Sequence, residues 1–243
     1  MRNYITATII TVGAIIAAAI FGNAIKNRNS AENTISVTGL GTKTFESDLI
    51  SWNGSFSRNN YDLKEAYDLL AADRRIISEY LKARGIKAEE TVFSAVEMNK
   101  QFRSFTDQNG NYQQGEFAGY NLTQSVSVQS KDVARVENTS RTVTEIINRG
   151  VEFTSSPPLY FYTKLADIKH QMIADATQDA KKRAEEIAKN SGARIGDLKK
   201  ATMGVVQITA PNSAEEYSWG GAFNTSSKEK EASITIKLEY LAR

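Results

Sequence analysis

Apolar residues fall into three spacings along this chain, and each predicts a different kind of element. From Ile5 to Ile25 the run ITATIITVGAIIAAAIFGNAI holds no charged side chain, and its apolar residues lie all around a helix instead of along one stripe. About 20 such residues are what a helix needs to cross a hydrocarbon core ~30 Å thick. Arg2 precedes the run, and Lys26 and Arg28 end it. Three readings follow. The first is an uncleaved signal-anchor. The second is a cleaved signal peptide with its site near Gly22–Asn23–Ala24 or Ala17–Ala18–Ala19, although the run is longer than the roughly 7–15 residues usual for a signal core. The third is a buried core helix. Basic residues flank both ends in near balance, so counting them does not fix an orientation.

Beyond the polar linker Ser30–Asn33 the spacing changes to period two. Ile35 and Val37 alternate with polar residues up to Gly39–Leu40–Gly41, and Ile50, Trp52, Gly54 and Phe56 alternate again. Both stretches predict half-buried strands, with Thr42–Asp48 as a turn or an extended continuation. Val92–Phe105 and Phe117–Val128 predict a long hairpin around the Asp107–Gln108–Asn109–Gly110 turn signal. Val151–Thr163 predicts a strand that Pro157–Pro158 makes an edge, a bulge or a break, because proline cannot donate to a ladder. Met203–Thr209 and Ser233–Tyr240 predict the last two strands.

Helical spacing appears three times after the first segment. Leu63, Ala66, Tyr67, Leu70, Ile77 and Leu81 share a face over Asp62–Arg84, with Asp62 and Glu65 placed as a capping box and Gly85 as the C-terminal stop. Val133, Val136, Val143, Ile146 and Ile147 form a stripe over Lys131–Arg149. Ile173, Ala176, Ala180, Ala184, Ile187 and Ala188 form one over Ala166–Ser191, where the alanines allow close approach by a sheet or by another subunit. The predicted class is α+β, with largely antiparallel sheet or sheets packed by three helices and preceded by an N-terminal apolar helix. Two units are expected: residues 1–29 as a transmembrane anchor or signal segment, and 30–243 as one α+β domain.

Composition narrows the function classes. With 30 basic and 28 acidic residues the formal charge is +2, so no nucleic-acid footprint is expected. The chain has no cysteine, which removes disulfides, thiolate metal sites and cysteine nucleophiles. His170 is the one histidine, so a His-Glu-x-x-His zinc motif cannot be built, and the chain has no Gly-x-Ser-x-Gly elbow to supply the activated serine of a triad. Gly39-x-Gly41–Thr42–Lys43 lacks phosphate-loop spacing, and its glycines are read as points of close backbone approach. Glu89–Glu90 and Glu215–Glu216 have no convergent partners. No catalytic, cofactor-binding or metal residue is therefore expected, and no cofactor.

Two aromatic groups remain as candidate interaction surfaces: Tyr112, Phe117 and Tyr120 at the hairpin, and Tyr217, Trp219 and Phe223 in the polar stretch Ala210–Glu231. A loop that long inside a compact domain tends to be functional or disordered. The bland alternative is that these rings fold back onto their own domain.

Several motifs in order resemble the SIMPL domain family, the bacterial envelope proteins akin to the periplasmic immunogenic protein. They are Ile35-x-Val37-x-Gly39-x-Gly41 followed by Glu46–Ser47–Asp48, the helix ending Leu81-x-x-x-Gly85–Ile86, and Gly119–Tyr120 before Val126-x-Val128. The most specific is Ala174-x-Ala176-x-x-x-Ala180–Lys181-x-x-Ala184–Glu185-x-x-Ala188-x-x-x-Gly192, then Gly196. The likeness spans about residues 34–243. It implies an exported or envelope-associated α+β protein, in a family with links to stress tolerance and to ring- or barrel-like oligomers, and it carries no catalytic motif across. The long apolar segment and the aromatic loop depart from the family pattern.

The expectation is a non-enzymatic envelope protein that self-associates through Tyr217, Trp219 and Phe223 and meets the membrane through Ile5–Ile25. It would be held at the inner membrane facing the periplasm, or be periplasmic if the segment is cleaved. The alternative is a monomeric envelope module that binds another envelope protein or an apolar ligand. A hydrolase working through two carboxylates would need a convergent pair that the sequence does not offer.

Overall fold

The computed structural model describes residues 2–30, 33–106, 110 and 112–243, with side chains for all of these except 2–10, 26–30, 105–106 and 112–114. In chain order the elements are α1 (Arg2–Ser30), β1 (Thr34–Glu46), β2 (Leu49–Asn60), α2 (Leu63–Ala83), β3 (Thr91–Phe93), β4 (Glu97–Thr106), β5 (Tyr112–Ser130), α3 (Val133–Thr142), β6 (Phe153–Ser155), β7 (Leu159–Phe161), α4 (Leu165–Ser191), β8 (Ile195–Met203), β9 (Gln207–Thr209) and β10 (Glu229–Ala242). Short 3-10 segments lie at Ala88–Glu90 and Val143–Arg149. The α+β class and the antiparallel sheets are as the spacing predicts.

Every described side chain of α1, residues 11–25, is exposed, including Ile15, Ile16, Ile20, Phe21 and Ile25. The buried-core reading of this run therefore fails for those residues. The side chains of Ile5, Lys26 and Arg28 lie outside the described residues, as does part of the Ser30–Asn33 linker. Among the described residues no helix is long and apolar enough to cross a membrane.

One sheet has the order β1-β10-β8, with β9 also pairing β10. β1 and β10 pair without interruption from Thr34↔Leu241 to Glu46↔Glu229. The face carrying Val37, Ile234, Ile236 and Leu238 is covered by α4, whose buried residues Ile168, Met172, Ala176, Ala180, Ala184 and Ala188 follow a four-residue spacing that keeps them on one side. The alanine stripe is thus helix-on-sheet packing. Ile187, expected on that face, is exposed. The approach is close because β1 has glycines under the helix: a Cβ on Gly39 would sit 2.1 Å from the Ala176 carbonyl oxygen, and one on Gly41 would sit 2.3 Å from that of Met172. Asp179 on α4 also accepts from the Leu40 N–H at 2.9 Å, which locks helix to strand and holds its carboxyl below the usual range, with help from Arg183.

The second sheet has the order β3-β5-β2-β6, with β4 also on β5 and β7 also on β2. Its core holds Ile50, Trp52, Phe56, Val126 and Val128 against Ala66, Leu70, Ile77 and Leu81 of α2 and Val133 and Val136 of α3. Asp62 caps α2 by accepting from the Glu65 N–H at 2.9 Å, and Gly85 follows at φ +82, as expected from the sequence. Among the described residues one charge is buried in this layer: Asp73 of α2 accepts from Nε and Nη2 of Arg58 at 2.6 and 2.7 Å.

Several elements differ in extent from the sequence prediction. The second helix is α only to Thr142 and finishes as a 3-10 segment before Gly150 at φ +80. The Pro157–Pro158 pair is a full break between β6 and β7. The first hairpin strand divides into β3 and β4 at 94–96, and its Asp107–Asn109 turn lies outside the described residues. Strand β8 was not legible at all, and β10 starts at Glu229, four residues ahead of the predicted Ser233.

Candidate interaction surface

The stretch after β9 is an ordered loop pinned by the polar side chains of Gln207, Glu215, Asn224 and Lys230. Gln207 organises its middle. Its Oε1 accepts from the Ser218 and Ala222 N–H groups at 3.2 and 2.7 Å, and its Nε2 donates to the Ser218 carbonyl at 2.8 Å. These bonds close a turn in which the Gly221 N–H donates to Ser218 O at 3.0 Å and Gly221 takes φ +94. Asn224 and Glu215 tie the two arms, with Asn224 Nδ2 donating to Glu215 and the Ala210 N–H donating to the same carboxylate at 3.2 Å.

Lys230 holds the far end. Its side chain is completely buried, and its ammonium donates to the carbonyls of Asn224 and Ser227 at 2.6 and 2.8 Å. Burial pushes this ammonium below its ordinary value, opposed by the nearby Glu215 carboxylate, and the loop carbonyls accept its hydrogen bonds. The loop also bridges the two sheets: the Tyr160 N–H of β7 donates to Thr225 O at 2.8 Å, and the Ser47 N–H donates to Lys228 O at 2.9 Å.

Trp219 sits at the tip of the Gln207 turn and is completely exposed. Tyr217 is 69% exposed. Both line a groove of about 460 Å³ whose floor includes Leu40, Met203, Val205 and Thr235. Of these, Leu40, Met203 and Val205 are themselves exposed apolar residues. Phe223 stands apart: it bridges Ile208 in a short parallel contact and is about half exposed. The structure thus brings Tyr217 and Trp219 together over one groove and places Phe223 beside it. For Tyr217 and Trp219 the rings do not fold back onto their own domain.

Sequence reading missed the polar pins. Lys230 had a usable signal, because it continues the period-two series Ala232, Ile234, Ile236 and so belongs to an inward face. Gln207 and Asn224 had none, since a side chain that folds a distant turn leaves no local pattern.

The other aromatic group builds a second concave surface. Phe117 meets Tyr120, Phe102 and Tyr61 edge-to-face at ring separations of 5.1, 6.1 and 6.2 Å. Beside them, Tyr61, Tyr67, Met98 and Tyr120 line an open groove of about 840 Å³ between the start of α2 and the β4–β5 hairpin. The Tyr112 side chain lies outside the described residues. His170 is exposed on the first turns of α4. Glu90 accepts from the Ser130 hydroxyl, which with the Lys87 N–H lowers its pKa and makes it a structural acceptor. No cluster of three metal-ligating side chains occurs among the described residues.

A family model described as SIMPL, protein of unknown function (DUF541), matches residues 35–240. No curated protein matches the chain.

Proposed function

Because the chain belongs to the SIMPL family, whose description leaves its function open, we propose that it is a non-enzymatic, membrane-tethered envelope protein whose domain self-associates through the Trp219 loop. The single observation that carries this reading is an indole held completely in solvent on a turn that Gln207 fixes. A rigid exposed aromatic above an apolar groove gives large contact area at little entropic cost on association, and tryptophan is among the residues that dominate interface energies. The tether rests on the uncharged run Ile5–Ile25 and on the exposure of every described side chain of α1, apolar surface that water alone does not favour.

The chain's two tryptophans make a direct test, because Trp52 is fully buried and Trp219 is fully exposed. On self-association the emission of Trp219 shifts to the blue as concentration rises. In Trp219→Ala, which lacks this reporter, association followed by light scattering weakens by about 2 kcal/mol, roughly 30-fold. Emission independent of concentration in the unaltered protein would remove the loop from the account.

A second reading has its own observation, the open groove at Tyr61, Met98 and Tyr120, whose volume lies within the range of small-ligand sites. In that case the domain is a monomeric module that holds an apolar ligand or a partner segment.

A further inference from the structure

β1 begins at Thr34, four residues after the last residue of α1 at Ser30, so the two are at most about 14 Å apart. If α1 holds the chain in a bilayer, as the reading above has it, the end of the sheet that carries Thr34 is the part of the domain held at the lipid surface. This follows whichever way α1 crosses. That end is rigidly built from strand and helix termini. The Ala242 N–H donates to Asn33 O at 2.8 Å, and Arg194 and Arg243 exchange backbone hydrogen bonds at 2.7 and 2.9 Å. α4 ends beside them, where Gly192 at φ +75 turns the chain directly into β8.

This end carries both signs of charge, with Asp197, Glu186 and Glu239 as its acidic residues. Lys189, Arg194 and Arg243 are all exposed. Arg243 pairs with Asp197 at 2.6 Å, whereas the side chains of Lys189 and Arg194 have no acidic partner among the described residues. Lower on α4, Glu185 and Asp179 face Lys181 and Arg183 and do not serve them. In the sequence, Lys26 and Arg28 are two further basic residues before the linker to β1. Basic groups within a Debye length of an anionic leaflet are drawn to it.

We propose that this end of the domain rests against anionic lipid headgroups, with Lys189 and Arg194 contacting headgroup phosphates, so that the domain has one orientation on its membrane. The inference depends on the tether reading, and the test separates the two. The chain has no cysteine, so a single introduced thiol reports one position. An environment-sensitive dye is placed by Asn190→Cys at the proposed contact. A second is placed by Lys169→Cys on the same helix, about 32 Å away. The full-length protein is reconstituted into phosphatidylcholine vesicles with and without phosphatidylglycerol, each carrying a headgroup quencher.

Quenching at position 190 should rise several-fold when phosphatidylglycerol is present, while position 169 stays unquenched. Reversing both charges, Lys189→Glu with Arg194→Glu, should abolish the rise with the protein still folded by circular dichroism. Equal quenching at 190 in both vesicle types overturns the docking and leaves the tether standing. A chain that does not float with vesicles of either kind overturns the tether, and the docking with it.

Discussion

Gly39→Ala is expected to lower stability by about 3 kcal/mol or more, the upper part of the range for overpacked cores. The new Cβ would lie 2.1 Å from the Ala176 carbonyl oxygen and 2.4 Å from the Ala180 nitrogen. Both are backbone atoms of α4, so no side chain can swing aside, and the helix itself must lift off the sheet. Lifting it would expose the alanine face and weaken the Asp179–Leu40 bond together. In thermal unfolding the loss reads as a drop of roughly 6–12 °C for a chain of this length. Gly220→Ala is the matched control, because its Cβ meets only the Ser218 hydroxyl at 4.0 Å and should change stability by less than about 0.5 kcal/mol. An unperturbed Gly39→Ala protein would mean that α4 does not sit this close.

Arg58→Met should cost about 3–5 kcal/mol, because it leaves the buried Asp73 carboxylate with no cation. Urea unfolding of the single variant and of Arg58→Met with Asp73→Leu separates the explanations. If the loss comes from an uncompensated buried charge, the double variant recovers most of it, since apolar replacements of a buried pair are often neutral. If the double variant is as unstable as the single, the pair contributes through geometry, for example the bond from Arg58 to the Gly150 carbonyl that fixes the entry to β6.

These two sites show what was legible in the sequence and what was not. The role of Gly39 and Gly41 could be read: two glycines inside an alternating strand, with an alanine ladder later in the chain, are the two halves of one close approach. α2 and α4 could be read because their apolar stripes, the Asp62 cap and the glycines at 85 and 192 agree with one another. Arg58 and Asp73 could not, since a charged residue in a strand and one in a helix look solvated until the fold opposes them. β8 was hidden for a related reason. It is an edge strand exposed along most of its length, so Asp197, Lys199 and Lys200 interrupt the alternation by which strands are recognised.

The candidate surface was half legible. Tyr217, Trp219 and Phe223 stood out as aromatics in a polar loop, and the first two line one groove. What holds them outward was not visible, because Gln207 acts on residues eleven to fifteen positions away. The floor of the groove comes from β1, β10, the end of β8 and the turn after it, which no local pattern joins to the loop.

The measurement that bears most directly on the central claim is the absolute mass of residues 30–243 by light scattering over a dilution series. Both hydrophobic cores lie within this span, so it carries the whole packed domain. The account predicts a discrete multiple of the monomer mass that persists on dilution and shifts to smaller species in Trp219→Ala. A monomer at every concentration would contradict it, and the groove at Tyr61, Met98 and Tyr120 would then be the surface to pursue.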